Sequence, residues 1–214
     1  APRAIFGLHV MPSLRAGLVG WRSGGINAAA DGFRVTVHGE MSHGSAPHRG
    51  VDAVYVAAQL VTALQSVVSR ETDARRPVVV SVGSLHAGNR SNIIAAEAIL
   101  EGTIRTLDEE TRARVRAAME RVVAGTGAAH RARCQLEFLA GNPVTLNEPE
   151  LAASSAAVLR AALGEANVVE TEPIMASEDF AHFAKRVPGF YFHLGVGNLE
   201  RGWTSYVHTP TFQP

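Results

Sequence analysis

Between Phe33 and Phe138 the hydrophobic period switches between that of a strand and that of a helix in one order: strand, helix, strand, strand, helix, strand. Few folds accept that order. FRVTVH (33–38) alternates, putting Phe33, Val35 and Val37 on one face of a strand. A loop of Gly, Ser and Pro follows. From Val51 to Val68 the apolar residues Val54, Ala57, Leu60, Val61, Leu64 and Val68 recur at helical spacing, with Asp52 near the positive end of the macrodipole. Two β-branched runs, PVVVSVGSL (77–85) and AILEGTIRT (98–106), read as a long hairpin around a loop holding Gly88 to Asn92. Asp108 is a candidate N-cap, with Glu109 and Glu110 in the first turn, for a helix to about Ala124 that Gly125 and Gly127 end. A strand over 132–138 completes a ferredoxin-like βαββαβ domain, an antiparallel sheet with both helices on one face.

The flanks are too short to fold alone. Residues 1–30 offer one or two strands, and residues 140–214 offer helices over 148–163 and 177–185 and the apolar strand Phe190–Leu194. The economical organisation has residues 31–139 inserted into a second, α/β domain made of residues 1–30 and 140–214. Residue 1 is not Met, and the segment from Ala4 to His9 reads as a strand interior, so the chain is expected to begin mid-protein.

Apolar residues make up 46% and charged residues 19%, which places the chain among ordinary globular proteins rather than disordered or collagenous ones. Twenty basic residues balance twenty acidic ones, giving no electrostatic reason to expect nucleic acid or an anionic membrane as partner. No apolar run approaches the roughly 18 residues that span a bilayer. Cys134 is the only cysteine, so no intrachain disulfide forms; a reducing, cytoplasmic setting is the expectation, with Cys134 a small buried hydrophobe. RNA-recognition modules share the βαββαβ order but stack bases on aromatic residues of the sheet, and AILEGTIRT has none.

HGEMSHGSAPH (38–48) spaces three imidazoles five residues apart. That spacing does not align neighbours on a helix, so a metal site of the i, i+4 kind is excluded and a three-histidine site would need the loop to fold back. His38 ends a strand and His48 sits in the loop. His43 is the candidate, because Ser42, Gly44, Ser45 and Ala46 let backbone approach a ligand closely. His9 and His208 each follow an apolar run, where a satisfied core histidine is the default. Arg105 suits either a bidentate grip on a carboxylate or a surface ion pair, and both readings stay open. SEDF (177–180) reads as a helix N-cap with an acidic first turn.

Eight stretches in order carry a resemblance: FGLHVMP (6–12), SHGSAPHRGVDAV (42–54), ALQSVVSRE (63–71), VSVGSLHAGNRSNII (80–94), EGTIRT (101–106), SEDF (177–180), VPGFYFHLG (187–195) and VHTPTF (207–212). Together they resemble the dizinc aminoacylase-type metallopeptidase family, in its branch of hippurate hydrolases and indoleacetyl-amino acid amidohydrolases. The resemblance implies a ferredoxin-like satellite domain, often dimerising, inserted in an α/β zinc-peptidase-like catalytic domain that is incomplete here. It implies a homodimer that hydrolyses the amide of a small N-acyl amino acid or peptide with two divalent metal ions, zinc first, with manganese, cobalt or nickel as alternatives. By the same resemblance His9 and His208 are metal ligands, one to each ion. His43 stabilises the oxyanion and in dimeric members reaches the neighbouring subunit's site, while Asn92 and Arg105 bind the amino acid end of the substrate, Arg105 taking its carboxylate. The family's other ligands and its general base come from an upstream His-x-Cys-Gly-His-Asp motif and a Glu-Glu pair, neither of which occurs in these 214 residues. A fragment inactive by itself is therefore expected.

Overall fold

The computed structural model describes residues 2–203 and 205–213. The chain enters through three strands, β1 (Ile5–Arg15), β2 (Val19–Trp21) and β3 (Gly24–Asn27). It continues as β4 (Ala29–His38), β5 (Ser42–His43), α1 (Ala53–Ser69), β6 (Val78–Ala87), β7 (Ile93–Ile94), β8 (Glu97–Thr106), α2 (Glu109–Ala129) and β9 (Arg133–Asn142). It ends in β10 (Thr145–Asn147), α3 (Pro149–Leu163), β11 (Val168–Glu170), α4 (Phe180–Ala184) and β12 (Gly189–Gly197). Two compact units result, residues 29–141 and residues 1–28 with 142–214. No described helix is long and apolar enough to cross a membrane.

In the 29–141 unit the sheet order is β6-β8-β4-β9, the ferredoxin-like arrangement that the periodicities predict. Phe33, Val35 and Val37 of β4 are fully buried with Leu100 and Ile104 of β8 against Leu60 and Leu64 of α1 and Val115 and Met119 of α2. Both helices thus cover one face. Asp52 caps α1 by accepting from the backbone N–H groups of Val54 and Tyr55, and Asp108 caps α2 by accepting from that of Thr111. Helix α2 differs from expectation at its far end, running through Gly125 and Gly127 to Ala129. Gly127 is there for packing rather than termination: a Cβ would sit 2.9 Å from the Ala132 carbonyl oxygen and 3.0 Å from Cys134 Sγ. Cys134 is half-buried against this core, and burial pushes its thiol pKa up, so it is an inert apolar residue as expected.

The other unit holds a four-stranded sheet, β1-β12-β2-β11, in which β1 and β12 run parallel. Alternation along β12 splits its side chains between two layers. Phe190 and Phe192 pack with Trp21, Ala152 and Ala156 on the α3 side; Tyr191 packs with Ile26 and Phe180 on the α4 side. The buried Asn147 side chain extends the ladder, accepting from the Tyr191 N–H at 2.6 Å and donating to the Tyr191 and Arg22 carbonyls at 2.8 Å each. Two of these three hydrogen bonds fix the backbone of Tyr191 and the third ties it to Arg22. One expectation fails here: α4 is one short turn of Phe180–Ala184 rather than a helix over 177–185, while strand β1 runs on through His9 to Arg15.

Candidate active site

In the unit built from both ends of the chain, His9 of β1 pairs in register with His193 of the parallel β12. Neighbouring residues in register share a face, so both imidazoles lie on the Tyr191 side of the sheet. Gly7, on that face one pleat before His9, makes room for the neighbouring rings: a Cβ would lie 2.8 Å from Phe180 and 2.9 Å from Tyr191. His208 arrives from the far end of the sequence, and its ring centroid lies 6.5 Å from that of His9. It is exposed and sits in a turn at φ 64, a left-handed conformation that non-glycine residues adopt at a cost. The core-histidine default therefore fails for His208. His9 is half-buried, and its Nδ1 lies 2.7 Å from the Val10 carbonyl oxygen. A carbonyl can only accept, so Nδ1 carries the proton and Nε2 keeps its lone pair for a ligand.

Sequence reasoning missed three residues of this cluster. Glu178 does not cap a helix; Asp179 occupies the N-cap position and makes no side-chain capping bond. Glu178 Oε2 instead accepts from the Tyr191 hydroxyl at 2.7 Å. Burial opposes its ionisation, yet hydrogen bonds from Tyr191 and the Phe180 backbone hold it below the usual carboxylate range. Burial and the adjacent carboxylate push the Tyr191 hydroxyl pKa well up, keeping it a proton donor. His193 is 2% exposed, its Nε2 has no partner among the described residues, and burial pushes its pKa down to about 4. The signal available was alternation in FYFHL, which puts Tyr191 and His193 on one face. Their meeting with Glu178 is tertiary.

The 29–141 unit carries the other candidates. His43 and Asn92 are neighbours: His43 of β5 pairs with Ile93 of β7, and the Gly44 N–H donates to the Asn92 carbonyl at 2.8 Å. A Cβ on Gly44 would sit 3.0 Å from that carbonyl oxygen, which accounts for the glycine. His43 Nδ1 accepts from the Ser45 backbone N–H at 3.1 Å and lies 2.7 Å from Ser45 Oγ. An N–H donor aimed at Nδ1 selects the neutral tautomer with its proton on Nε2, so the exposed His43 presents an N–H donor outward. His38 pairs with Glu97 at the end of the sheet and His48 is an exposed residue of a short helical turn, so HGEMSHGSAPH forms no three-histidine cluster.

Arg105 is elsewhere. It lies near the end of β8, opposite Ala30 and Val79, whereas β7 precedes the start of that strand. From Glu97 to Arg105 the ten-residue strand spans about 26 Å at about 3.3 Å per residue. One small substrate cannot touch both the His43–Asn92 corner and Arg105 of a single chain. The ion-pair reading of Arg105 also fails, because its guanidinium has no hydrogen-bonded or ionic partner among the described residues. Arg34 on the same sheet face has one, with its Nη2 2.6 Å from Glu101.

Among the described residues no cluster of three or more His, Cys, Asp or Glu could hold a metal ion. His9 and His208 fit as two ligands of a larger set, not as a complete site.

Comparison with known proteins follows the same outline. A family model for a peptidase dimerisation domain matches residues 27–131. Thermostable carboxypeptidase 2 of Saccharolobus solfataricus is 35% identical over 209 residues, covering 97% of this chain and 52% of the relative. N-acetylcysteine deacetylase of Bacillus subtilis is 35% identical over 211 residues, covering 98% of this chain and 53% of the relative. A crystal structure of the Bacillus subtilis YXEP protein, a dinuclear metal-binding peptidase of the M20 family, superposes with a TM-score of 0.80 at 29% identity, over 98% of this chain and 51% of that one. The chain spans about half the length of the curated relatives it matches.

Proposed function

Because the chain belongs to the M20 peptidase family, we propose that it is the satellite domain plus part of the catalytic domain of a homodimeric, metal-dependent amidohydrolase acting on N-acyl amino acids or small peptides. In this reading residues 31–139 form the satellite, and residues 1–30 and 140–214 belong to the catalytic domain. The observation that carries it is the meeting of His9 with His208, 199 positions away in sequence, at 6.5 Å between ring centroids. His9 and His208 would each hold one divalent ion, zinc first among the candidates. Bound metal supplies a water acidic enough to attack near neutral pH and polarises the amide carbonyl.

The remaining chemistry belongs to side chains of this sequence. His43 donates its Nε2–H to the oxygen that gains charge as the carbonyl becomes tetrahedral, a contact typically worth about 3–4 kcal/mol of barrier. Asn92 binds the amino acid end of the substrate. Arg105 takes the substrate carboxylate in a bidentate grip. Since the strand keeps Arg105 apart from the other two, His43 and Asn92 of one protomer serve the substrate that Arg105 of the partner holds.

In the test, hydrolysis of an N-acyl amino acid is followed with added zinc or manganese. A longer protein carrying the His-x-Cys-Gly-His-Asp motif and the Glu-Glu pair should turn over and lose activity to a chelator, while the 214-residue chain alone stays inactive. Turnover by the chain alone at the rate of the longer protein would overturn this reading. A second reading, a non-catalytic binding or dimerisation module, draws on the match of the dimerisation model to residues 27–131. It leaves the His9–His208 meeting and the strained backbone of His208 without a purpose, and a longer protein without metal would favour it.

A further inference from the structure

The proposed function leaves the Tyr191–Glu178 pair without a task, although the fold commits several residues to it. Tyr191 of β12 pairs in register with Gly7 of β1, and its ring lies so close that a Cβ on Gly7 would be 2.9 Å away. Phe180 of α4 packs beside it, with ring centroids 5.2 Å apart. Asn147, fully buried, holds the Tyr191 backbone through both its N–H and its carbonyl. The loop that delivers Glu178 is pinned as well, because the Ala28 N–H is shared between the Ile174 and Ala176 carbonyls at 3.0 and 2.9 Å. The phenol and the carboxylate therefore meet at a fixed point. Gly7, under the Tyr191 ring, precedes His9 by one pleat, about 6.6 Å, so the pair stands on the face of the sheet that carries His9.

No structural duty accounts for this carboxylate. Glu178 caps no helix, and among the described residues it forms no ion pair with Lys or Arg. A carboxylate can accept about four hydrogen bonds, and the Tyr191 hydroxyl and the Phe180 N–H do not exhaust that capacity. The neighbouring Asp179 carboxylate adds negative charge at the same place, so the group that belongs there is a donor.

We infer that Glu178, positioned by Tyr191, accepts a hydrogen bond from the N–H of the scissile amide and thereby selects amides over esters. The inference rests on the amidohydrolase reading for the identity of the donor. The contact fixes the plane of the amide against the attacking water. Its proton stays on nitrogen and leaves with the amine, so Glu178 neither gains nor loses one. An ester presents lone pairs where the amide presents its N–H, and a site built for that N–H rejects the analogue lacking it.

The test compares N-acetylalanine with O-acetyllactate, which differ only in NH against O, in the longer protein. Calorimetric binding is measured after the metal is stripped, and kcat/KM with metal restored. Glu178→Gln should lower the amide-to-ester ratio at least about tenfold in both measurements, since a hydrogen bond to a charged group is lost and the new side-chain amide can donate to the ester oxygen. Tyr191→Phe should shift the ratio the same way by less, and Glu172→Gln, on a fully exposed side chain, should leave it unchanged. Damage to the fold would lower both compounds alike. A ratio that Glu178→Gln leaves unchanged, or equal binding of the two compounds by the unsubstituted protein, would overturn the inference while turnover keeps the amidohydrolase reading standing. Turnover of neither compound would sink the amidohydrolase reading, and a binding preference abolished by Glu178→Gln would then still uphold the N–H contact.

Discussion

Mixing two weakened variants of the proposed homodimer, His43→Ala and Arg105→Ala in the longer protein, is expected to restore about a quarter of wild-type activity. Each variant alone should be weak. Loss of the oxyanion donor costs on the order of 10²–10³ in rate, and loss of a charged partner for a bound carboxylate costs about 2–5 kcal/mol in kcat/KM. When subunits exchange at random, half the dimers are mixed. In each of these, one site combines the intact His43 of one protomer with the intact Arg105 of the other, and the second site lacks both. The expectation follows from the β8 strand, whose run of about 26 Å from Glu97 to Arg105 lies between Arg105 and the end beside β7, with which His43 pairs. If one chain supplied both residues to one site, no mixture would exceed its components, so activity that stays at their level after verified exchange would refute the shared site.

The second large effect is on stability. Arg112 of α2 grips Asp31 of β4 in a two-pronged ion pair, Nε to Oδ2 at 2.7 Å and Nη2 to Oδ1 at 2.6 Å, with Asp31 only 3% exposed. The same guanidinium reaches Glu109 at 3.0 Å, tying the first turn of α2 to the sheet. The hydrogen bond that Arg112 donates to the Asp31 carboxylate, the largest influence, raises the Arg112 pKa above its ordinary value and keeps it charged at any working pH. Arg112→Met leaves a buried carboxylate uncompensated and should cost about 3–5 kcal/mol. Adding Asp31→Leu to it should recover most of that loss, since a buried pair contributes little over an apolar replacement. Urea unfolding of the single and double variants decides; a single variant within about 1 kcal/mol of wild type would mean that Asp31 finds water or another donor.

Most of the fold was readable because it rests on local signals. Alternation in FRVTVH and AILEGTIRT, the capping aspartates 52 and 108 and the helical spacing from Val54 to Val68 each act within a few residues, and together they specify the ferredoxin-like order. The misreadings occurred where tertiary packing overrides a local signal. Gly125 and Gly127 look like a helix stop, yet α2 passes through them because Gly127 must lie against Cys134. SEDF looks like a cap, yet Glu178 turns to the Tyr191 hydroxyl.

The site divided along the same line. His43 could be singled out from its small neighbours, but its tautomer depends on the Ser45 N–H and became visible only in three dimensions. That His9 and His208 meet could not be derived from periodicity, since nothing local relates residues so far apart; only the resemblance of FGLHVMP and VHTPTF suggested it. The separation of Arg105 from His43 and Asn92 was implicit in a ten-residue strand, but it mattered only once β7 was placed before that strand's start.

The division of labour between metal-holding and substrate-facing histidines is the central claim, and metal content tests it most directly. Full-length His43→Ala should bind metal with wild-type stoichiometry and lose activity, whereas His208→Ala should lose metal and activity together after dialysis. A His43→Ala protein depleted of metal, or a His208→Ala protein that keeps its full complement, would contradict the assignment.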